Sequence, residues 1–374
     1  MDMKINDIMI ISYGMYKQDG PLENLLIVFE NIGKTALAAF SKNNQSDRTR
    51  FCVKISERKE RNRFSSLVKH LLESLKLAFH CKRDYILVSD DTVSSFSALA
   101  VWLIKKPKIF IVYTRELNIG STMPGKGKIF CFLEKYACSK ADIIICCNEE
   151  RANIMQKTWN LKEKPIVLEN VRALSCEYDK ASLDIKYKDF FTSKISVIET
   201  GGIDLERGTL QLIKSMKELN DVSLYIVGHK HDNEYRKTIK FIKSNQISNV
   251  YIFERVDLGE LRYLVDRSQI GAVIYHKNDL NNIYCASGKV YEYIYAHKPI
   301  IASENIPLFN ICQKYHVGVA NDNFKEGINE IIMHYDLYKD SVMQYAEKTS
   351  VDMYLSEFKD ILHKRIDDMI NCKR

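Results

Sequence analysis

The 374-residue sequence predicts an α/β protein made of two doubly wound halves, each a parallel sheet with helices on both faces. Its apolar runs have strand length and do not alternate with polar residues, as in strands buried on both sides. These runs take turns with segments of helical period, which marks parallel strands joined by right-handed crossovers. The scheme runs once, meets a polar, charged, aperiodic segment from Arg172 to Lys194, and runs again.

In the first half the expected strands are Ile8–Tyr13, Thr35–Phe40, Phe51–Ile55, Tyr85–Ser89, Ile109–Tyr113, Ile143–Cys146 and Ile166–Leu168. Helical patterns fall near Pro21–Asn31, Asn62–Cys81, Val93–Ile104, Lys128–Cys138 and Glu149–Thr158. In the second half the strands are Ile195–Thr200, Ser223–Val227, Val250–Phe253, Gly271–Tyr275, Pro299–Ala302 and Val317–Ala320. Helices are expected near Glu206–Leu219, Asn233–Ser244, Leu258–Arg267 and Lys289–His297, and Asp336–Arg374 reads as helix. The domains are therefore 1–171 and 195–350, with a linker at 172–194 and a C-terminal helix, 351–374, that crosses back onto the first half.

Composition narrows the function classes. At 46% hydrophobic residues there is enough apolar surface to offset chain entropy, which excludes disorder. No apolar run approaches the roughly 18–20 residues that span a bilayer. The N-terminus shows no small-residue cleavage site, so no signal peptide is expected. Ten cysteines without CxxC spacing point to free thiols in a reducing cytoplasm.

Residues 1–170 hold 27 Lys+Arg against 19 Asp+Glu, whereas the remainder holds 28 against 29. The excess lies in residues 48–83, with 11 basic and 3 acidic residues. Within it, Phe64, Leu67, Val68, Leu71, Leu72, Leu75, Ala78 and Phe79 share one helical face, and Arg58, Lys59, Arg61 and Arg63 surround its start. One reading packs that face on the sheet with the charges solvated. The other docks it on an anionic membrane surface, a peripheral site on the inner face of the plasma membrane. So local a cluster, without a reading motif, does not describe a nucleic-acid protein.

Open parallel sheets bind ligands beyond the carboxyl ends of their strands. The first such cluster is IETGGIDLERGTLQLI, where a strand ends in Gly201-Gly202 and Arg207-Gly208 opens a helix. Glycines let backbone approach a ligand. A helix N-terminus presents free N–H groups to phosphate, and Arg207 adds a permanent forked cation. A tight βα turn with a surface Arg accounts for the same residues. The second cluster is NNIYCASGKVYEYIYAHKPIIAS, in which Ser287-Gly288-Lys289 precede or open a helix and Glu292 lies one turn in. Glu292 there suits a ribose diol or, equally, a salt bridge. Neither GxGxxG nor GxxxxGK[ST] occurs.

Gly201…Arg207-Gly208, Val227-Gly228, Ser287-x-Lys289-x-x-Glu292-Tyr293 and Lys298-Pro299-Ile300-Ile301, in that order, resemble glycosyltransferase family 4. The resemblance covers about 195–302 well and 105–170 more loosely, through VYTREL and LEKYACSKADIIICCNEE. It implies the GT-B fold, two Rossmann-like domains facing across a cleft, and a retaining nucleotide-sugar transferase. By the same resemblance Arg207 and Lys289 bind the donor diphosphate, most simply that of a UDP-sugar, together with the N–H groups after Gly288 beside Ser287 and Val290. Glu292 would hold the ribose, and Glu254-Arg255-Val256 would contact the base. On the acceptor side the expected residues are Asp19, Gly20 and Arg115, and the resemblance puts Arg115 and Glu116 near the reacting centre. Three positions depart from the family: Tyr284 replaces the first Glu of its E-x7-E motif, with Asn282 as a substitute for the lost sugar contact; Gly202 stands where many members have a second Arg; and Arg115 stands where many have His.

The implied activity is metal-independent, needs no cofactor, and moves a hexose to a hydroxyl of a growing glycan. The charge pattern favours a polyprenyl-linked acceptor, as in capsule, exopolysaccharide or lipopolysaccharide synthesis. A non-catalytic partner subunit and a nucleotide-sugar epimerase are the alternatives. His229-x-His231 is too small a ligand set for a metal site. Cys146-Cys147 reads as core. Asp90-Asp91 reads either as a helix start or as an Mg²⁺ site.

Overall fold

The computed structural model describes residues 8–16, 19–40, 52–56, 63–81, 84–119, 125–229 and 232–372. The chain divides into two compact units, Met1–Asn170 with Asp352–Arg374, and Val171–Val351.

The first unit carries a seven-stranded, wholly parallel sheet in the order β3-β2-β1-β4-β5-β6-β7. Its strands are β1 (Ile8–Met15), β2 (Thr35–Phe40), β3 (Cys52–Ser56), β4 (Ile86–Asp90), β5 (Ile109–Thr114), β6 (Ile143–Cys146) and β7 (Ile166–Val167). The helices are α1 (Gly20–Glu30), α2 (Arg63–His80), α3 (Ser95–Lys105), α4 (Lys128–Lys140) and α5 (Glu149–Trp159). Ile8, Met9, Ile10 and Ile11 are all buried, as are Ile109 to Val112, so the non-alternating runs are central strands covered on both faces.

The second unit has a six-stranded parallel sheet in the order β10-β9-β8-β11-β12-β13. Its strands are β8 (Ile195–Thr200), β9 (Val222–His229), β10 (Val250–Glu254), β11 (Ile270–Val273), β12 (Ile300–Ala302) and β13 (Gly318–Ala320). Successive residues feed opposite cores. Val197, Leu224, Ile226, Ala272 and Ile301 enter one, while Ile198, Tyr225, Val227, Val273 and Ile300 enter the other.

The helices depart from the sequence reading in several places. The segment 172–194, expected as a linker, contains α6 (Lys180–Lys186) and belongs to the second unit. Its Tyr187 and Tyr263, from a later helix, stack at 5.8 Å in the core. After α7 (Thr209–Met216), α8 (Asn233–Ser244) and α9 (Leu258–Arg267) come α10 (Leu280–Ile283) and α11 (Gly288–Tyr295). Two further helices that the periodicity did not reveal follow, α12 (Ile306–Tyr315) and α13 (Phe324–Met333). The single helix expected over Asp336–Arg374 is two, α14 (Tyr335–Lys348) and α15 (Val351–Cys372), interrupted at Thr349-Ser350. In the first unit, Tyr354 of α15 accepts a hydrogen bond from the Glu169 backbone at 2.9 Å. No helix among the described residues is long and apolar enough to cross a membrane. Arg58, Lys59 and Arg61 of the basic stretch lie outside the described residues, as does His231.

Candidate functional site

Two clusters of charge sit at strand ends, one in each unit. In the second unit β8 ends in Gly201 and Gly202, both at positive φ, and both backbone N–H groups donate to Val227 O at 2.9 and 2.8 Å. These φ values favour glycine. A Cβ on Gly201 would lie 2.7 Å from Lys289 Nζ, so the ammonium rests directly over the Gly201 backbone. A Cβ on Gly202 would meet Gly228 O at 2.6 Å. Position 202 therefore has no room for the second Arg of the family pattern, which explains that departure in physical terms.

Lys289 stands in the first turn of α11, whose N-cap is Ser287. Ser287 makes no side-chain cap, and its Oγ is buried without a hydrogen-bond partner. Burial pushes the Lys289 pKa down, and Glu199 opposes this by favouring the charged form. Arg207, Glu292 and Arg172 also act on Lys289, so five ionisable groups share one electrostatic neighbourhood.

Arg207 lies in the loop before α7. Its Nε is 3.1 Å from Asp204 Oδ2, and its guanidinium sits 4.8 Å over the Tyr275 ring. Carboxylate and aromatic face together fix the planar head group while leaving it substantially exposed. Gly208 at positive φ lets the chain turn into α7 immediately afterwards.

Glu199 was missed by the sequence reading. It is buried at the end of β8, and its Oε2 has no hydrogen-bond partner. Burial raises its pKa to about 7, against the pull of Lys289. The available signal was a carboxylate inside the apolar run I-S-V-I-E-T, since Glu is seldom buried without a partner.

Glu292 is buried on α11, and its Oε1 is 2.6 Å from Arg172 Nε. The sequence showed no partner for this Glu; Arg172 comes from the segment taken for a linker. Asn282 is tied by its side-chain amide to Asp279 Oδ2 at 2.9 Å. Its backbone oxygen accepts from Asn305 at 2.8 Å. Tyr284 closes α10 and is half-buried. Glu254, the last residue of β10, and Arg255 just after it are exposed, and Val256 packs against the core. His229 Nδ1 donates to Phe253 O at 2.7 Å and its ring stacks on Tyr235, so this histidine braces β9 against β10.

In the first unit Arg115, beyond β5, points inward. Nη1 donates to both carboxylate oxygens of Asp19 at 2.6 Å, Nε donates to Asp90 Oδ1 at 2.6 Å, and Nη2 donates to Asp90 Oδ2. Asp90 is fully buried at the end of β4. Asp19 also caps α1 through Leu22 N, with Gly20 as the first helical residue. Arg115 is thus a clamp between two carboxylates. Asp91 accepts from Tyr13 N at 2.8 Å and Ser94 N at 2.9 Å, and burial with the adjacent Asp90 raises its pKa. Asp90 holds an arginine and Asp91 caps backbone, which uses this acidic pair structurally. Glu116 next to the clamp is exposed.

A buried network beneath this cluster also escaped the sequence. Glu134 of α4 accepts from Thr92 at 3.0 Å and Asn118 at 2.8 Å, and burial pushes its pKa up to about 8. It fixes the loop after β5 to α4. His70, on α2, donates from Nε2 to Ser12 O at 2.9 Å and approaches Ser97 Oγ at 3.0 Å, which holds the end of β1. Burial lowers its pKa, against the pull of the hydrogen bond to the Ser12 backbone. Cys146 and Cys147 are buried thiols, as expected of core.

No protein-family model matches the chain, and no curated protein matches it in sequence. Solved structures do match over nearly the whole length. Sucrose-phosphate synthase from Thermosynechococcus elongatus superimposes with a TM-score of 0.69 at 13% identity, covering 99% of this chain and 100% of that one. HepE from Anabaena, in complex with UDP-glucose, gives 0.70 at 10% identity, covering 96% and 99%. An α,α-trehalose-phosphate synthase (UDP-forming) from Burkholderia vietnamiensis gives 0.63 at 9% identity, covering 96% and 100%. At these identities the likeness is one of fold, and with two parallel sheets in two units it shows that the chain has the GT-B fold.

Proposed function

We propose that this protein is a glycosyltransferase that moves a sugar from a nucleoside-diphosphate donor, a UDP-sugar, to a hydroxyl of a growing, lipid-linked glycan. The observation that carries the reading is the second-unit cluster. Two cations, Arg207 and Lys289, stand with the start of α11 and the unpartnered Ser287 hydroxyl at the carboxyl ends of parallel strands. A diphosphate supplies the missing acceptors. The HepE and Escherichia coli trehalose-6-phosphate structures, whose fold this chain shares, hold UDP-glucose and UDP-2-fluoro glucose.

In this reading the diphosphate lies over Gly201, whose lack of a side chain makes room for Lys289 and ligand alike. Arg207, Lys289 and the α11 N–H groups stabilise the charge that develops on the leaving diphosphate, so they act more strongly in the transition state than in the ground state. Glu292 offers Oε2 to a ribose hydroxyl, since Arg172 holds Oε1. Glu254-Arg255-Val256 meet the base. Transfer retains configuration, with attack on the donor's own face assisted by a departing phosphate oxygen, so no protein nucleophile is assigned. Protein cations neutralise the diphosphate, and the reaction runs without a divalent metal or cofactor. Asp19 and the Arg115 clamp, with Gly20 and Glu116 adjoining, form an acidic acceptor-side surface suited to sugar hydroxyls.

A thermal-shift screen against UDP-, GDP- and ADP-sugars tests the donor class. A ligand at about 100 times its Kd stabilises by about 2.7 kcal/mol. No shift with any nucleotide sugar would overturn the proposal. The engagement of Arg115 by Asp19 and Asp90 favours one other reading, a non-catalytic glycosyltransferase-like subunit. Slow hydrolysis of the bound UDP-sugar would exclude it.

A further inference from the structure

Helices α2, α3 and α4 pack side by side on the first sheet, with α3 between the other two. Their outward surface is apolar to an unusual degree. On α2, Phe64, Leu72 and Phe79 are 52–75% exposed. On α3 Leu103 and Ile104, and on α4 Ile129 and Phe132, are 56–67% exposed. Single exposed apolar side chains are ordinary, but seven of them on three adjacent helices mark an interaction surface.

The charges on the same helices are one-sided. Lys69 and Lys76 stand on α2, Lys105 at the end of α3, and Lys128, Lys135 and Lys140 on α4. Only two acids share these helices. Glu73 is paired with Lys76 at 2.8 Å, and Glu134 is buried beneath. Lys105 Nζ lies 4.9 Å over the Phe79 ring and Lys140 Nζ 5.3 Å over Tyr136, so cations and apolar rings are interleaved. A water-soluble protein partner would need acids placed to match this array. A bilayer needs none, because apolar side chains enter the acyl boundary while lysine stems reach anionic headgroups.

We infer that the outward face of α2, α3 and α4 is a docking surface for a bilayer rich in anionic phospholipid. This surface includes part of the α2 face on which the sequence argument rested, extends it across α3 and α4, and does not depend on the transferase reading. It would hold the first unit at the membrane plane, where a lipid-linked substrate is presented.

The test is co-sedimentation of the full chain with vesicles of phosphatidylcholine, with and without phosphatidylglycerol, over a series of salt concentrations. Binding should require phosphatidylglycerol and weaken as salt rises, because exposed charges are screened over about 8–10 Å near physiological ionic strength. Each of Lys69→Ser, Lys128→Ser and Lys135→Ser should lower the partition constant about fivefold. The triple change Phe64→Ser, Leu72→Ser, Phe132→Ser should lower it at high salt as well. All six positions are exposed, so the thermal midpoint should hold, and UDP-sugar shifts should persist in every variant. Failure of the wild-type protein to bind phosphatidylglycerol vesicles at low salt overturns the inference. So does a dimer by sedimentation velocity that the Phe64, Leu72, Phe132 variant abolishes, since that would make a second copy the occupant.

Discussion

The two units place an arginine beyond a strand end in opposite circumstances. In the first, Arg115 is enclosed by Asp19 and the fully buried Asp90, and all three nitrogen groups of its fork are engaged within the protein. In the second, Arg207 has one exposed carboxylate beside it and an aromatic ring beneath, while Lys289 faces a carboxyl group that burial tends to protonate. The same residue type at the same station of a parallel sheet therefore does different work. Charges that satisfy one another build a scaffold. In the proposed reading, an exposed guanidinium and a lysine, beside a buried hydroxyl without a partner, make a place for an anion.

The contrast breaks first at Arg115. Its change to Ala leaves Asp90 buried without its cation, and the first unit should lose about 3–5 kcal/mol of stability. Urea unfolding followed by a probe in that unit measures it, and a loss below about 1 kcal/mol would show that the clamp is dispensable.

Next come the cations of the second unit. Arg207→Ala and Lys289→Met should each lower kcat by about 10²–10³-fold with little change in unfolding, as expected of groups that stabilise developing charge. Steady-state kinetics with a saturating donor decides this. A fall in stability in place of turnover would make this cluster a second scaffold and erase the distinction.

Glu292→Ala should weaken UDP binding by about 1.5–3 kcal/mol, the range for a hydrogen bond to a charged group, whereas Arg172→Ala should leave affinity nearly intact. Calorimetric titration of both variants separates a ribose contact from a purely internal ion pair.

The smallest effect sharpens the electrostatics. Glu199 has a folded pKa of about 7 against an ordinary 4.5, so the folded protein holds a proton that the unfolded chain releases between these values. Its contribution to stability is complete below about pH 4.5 and is lost as pH rises through about 7. Ionised Glu199 also offsets Lys289. UDP affinity should therefore fall by about 1 kcal/mol on going from pH 6 to 8. Glu199→Gln should flatten both dependences, and parallel profiles for wild type and variant would refute the assignment.

Most strands could be read from sequence because burial on both faces leaves an unbroken apolar run. The shorter helices were harder. α6 has no buried residue within its bounds, so it presents no apolar stripe, and it passed for a linker. The break at Thr349-Ser350 has no Gly or Pro to announce it. In the site, Gly201, Arg207, Ser287 and Lys289 were legible as strand-end glycines and cations before helices. Their partners were not. Glu199 beside Lys289, Arg172 on Glu292 and Asp90 on Arg115 depend on elements distant in the chain, and periodicity carries no information about which distant charge arrives.

The contact between Gly202 and Gly228 sets the order in which this protein can change. A side chain at 202 strikes the Gly228 carbonyl of the neighbouring strand, and both residues have positive φ. Adding an arginine at 202 requires that the end of β9, where Gly228 lies, move as well. The two positions are therefore coupled, and a side chain at 202 alone should destabilise the second unit. If the site binds a diphosphate as proposed, extra positive charge for it is easier to acquire at other positions around the site.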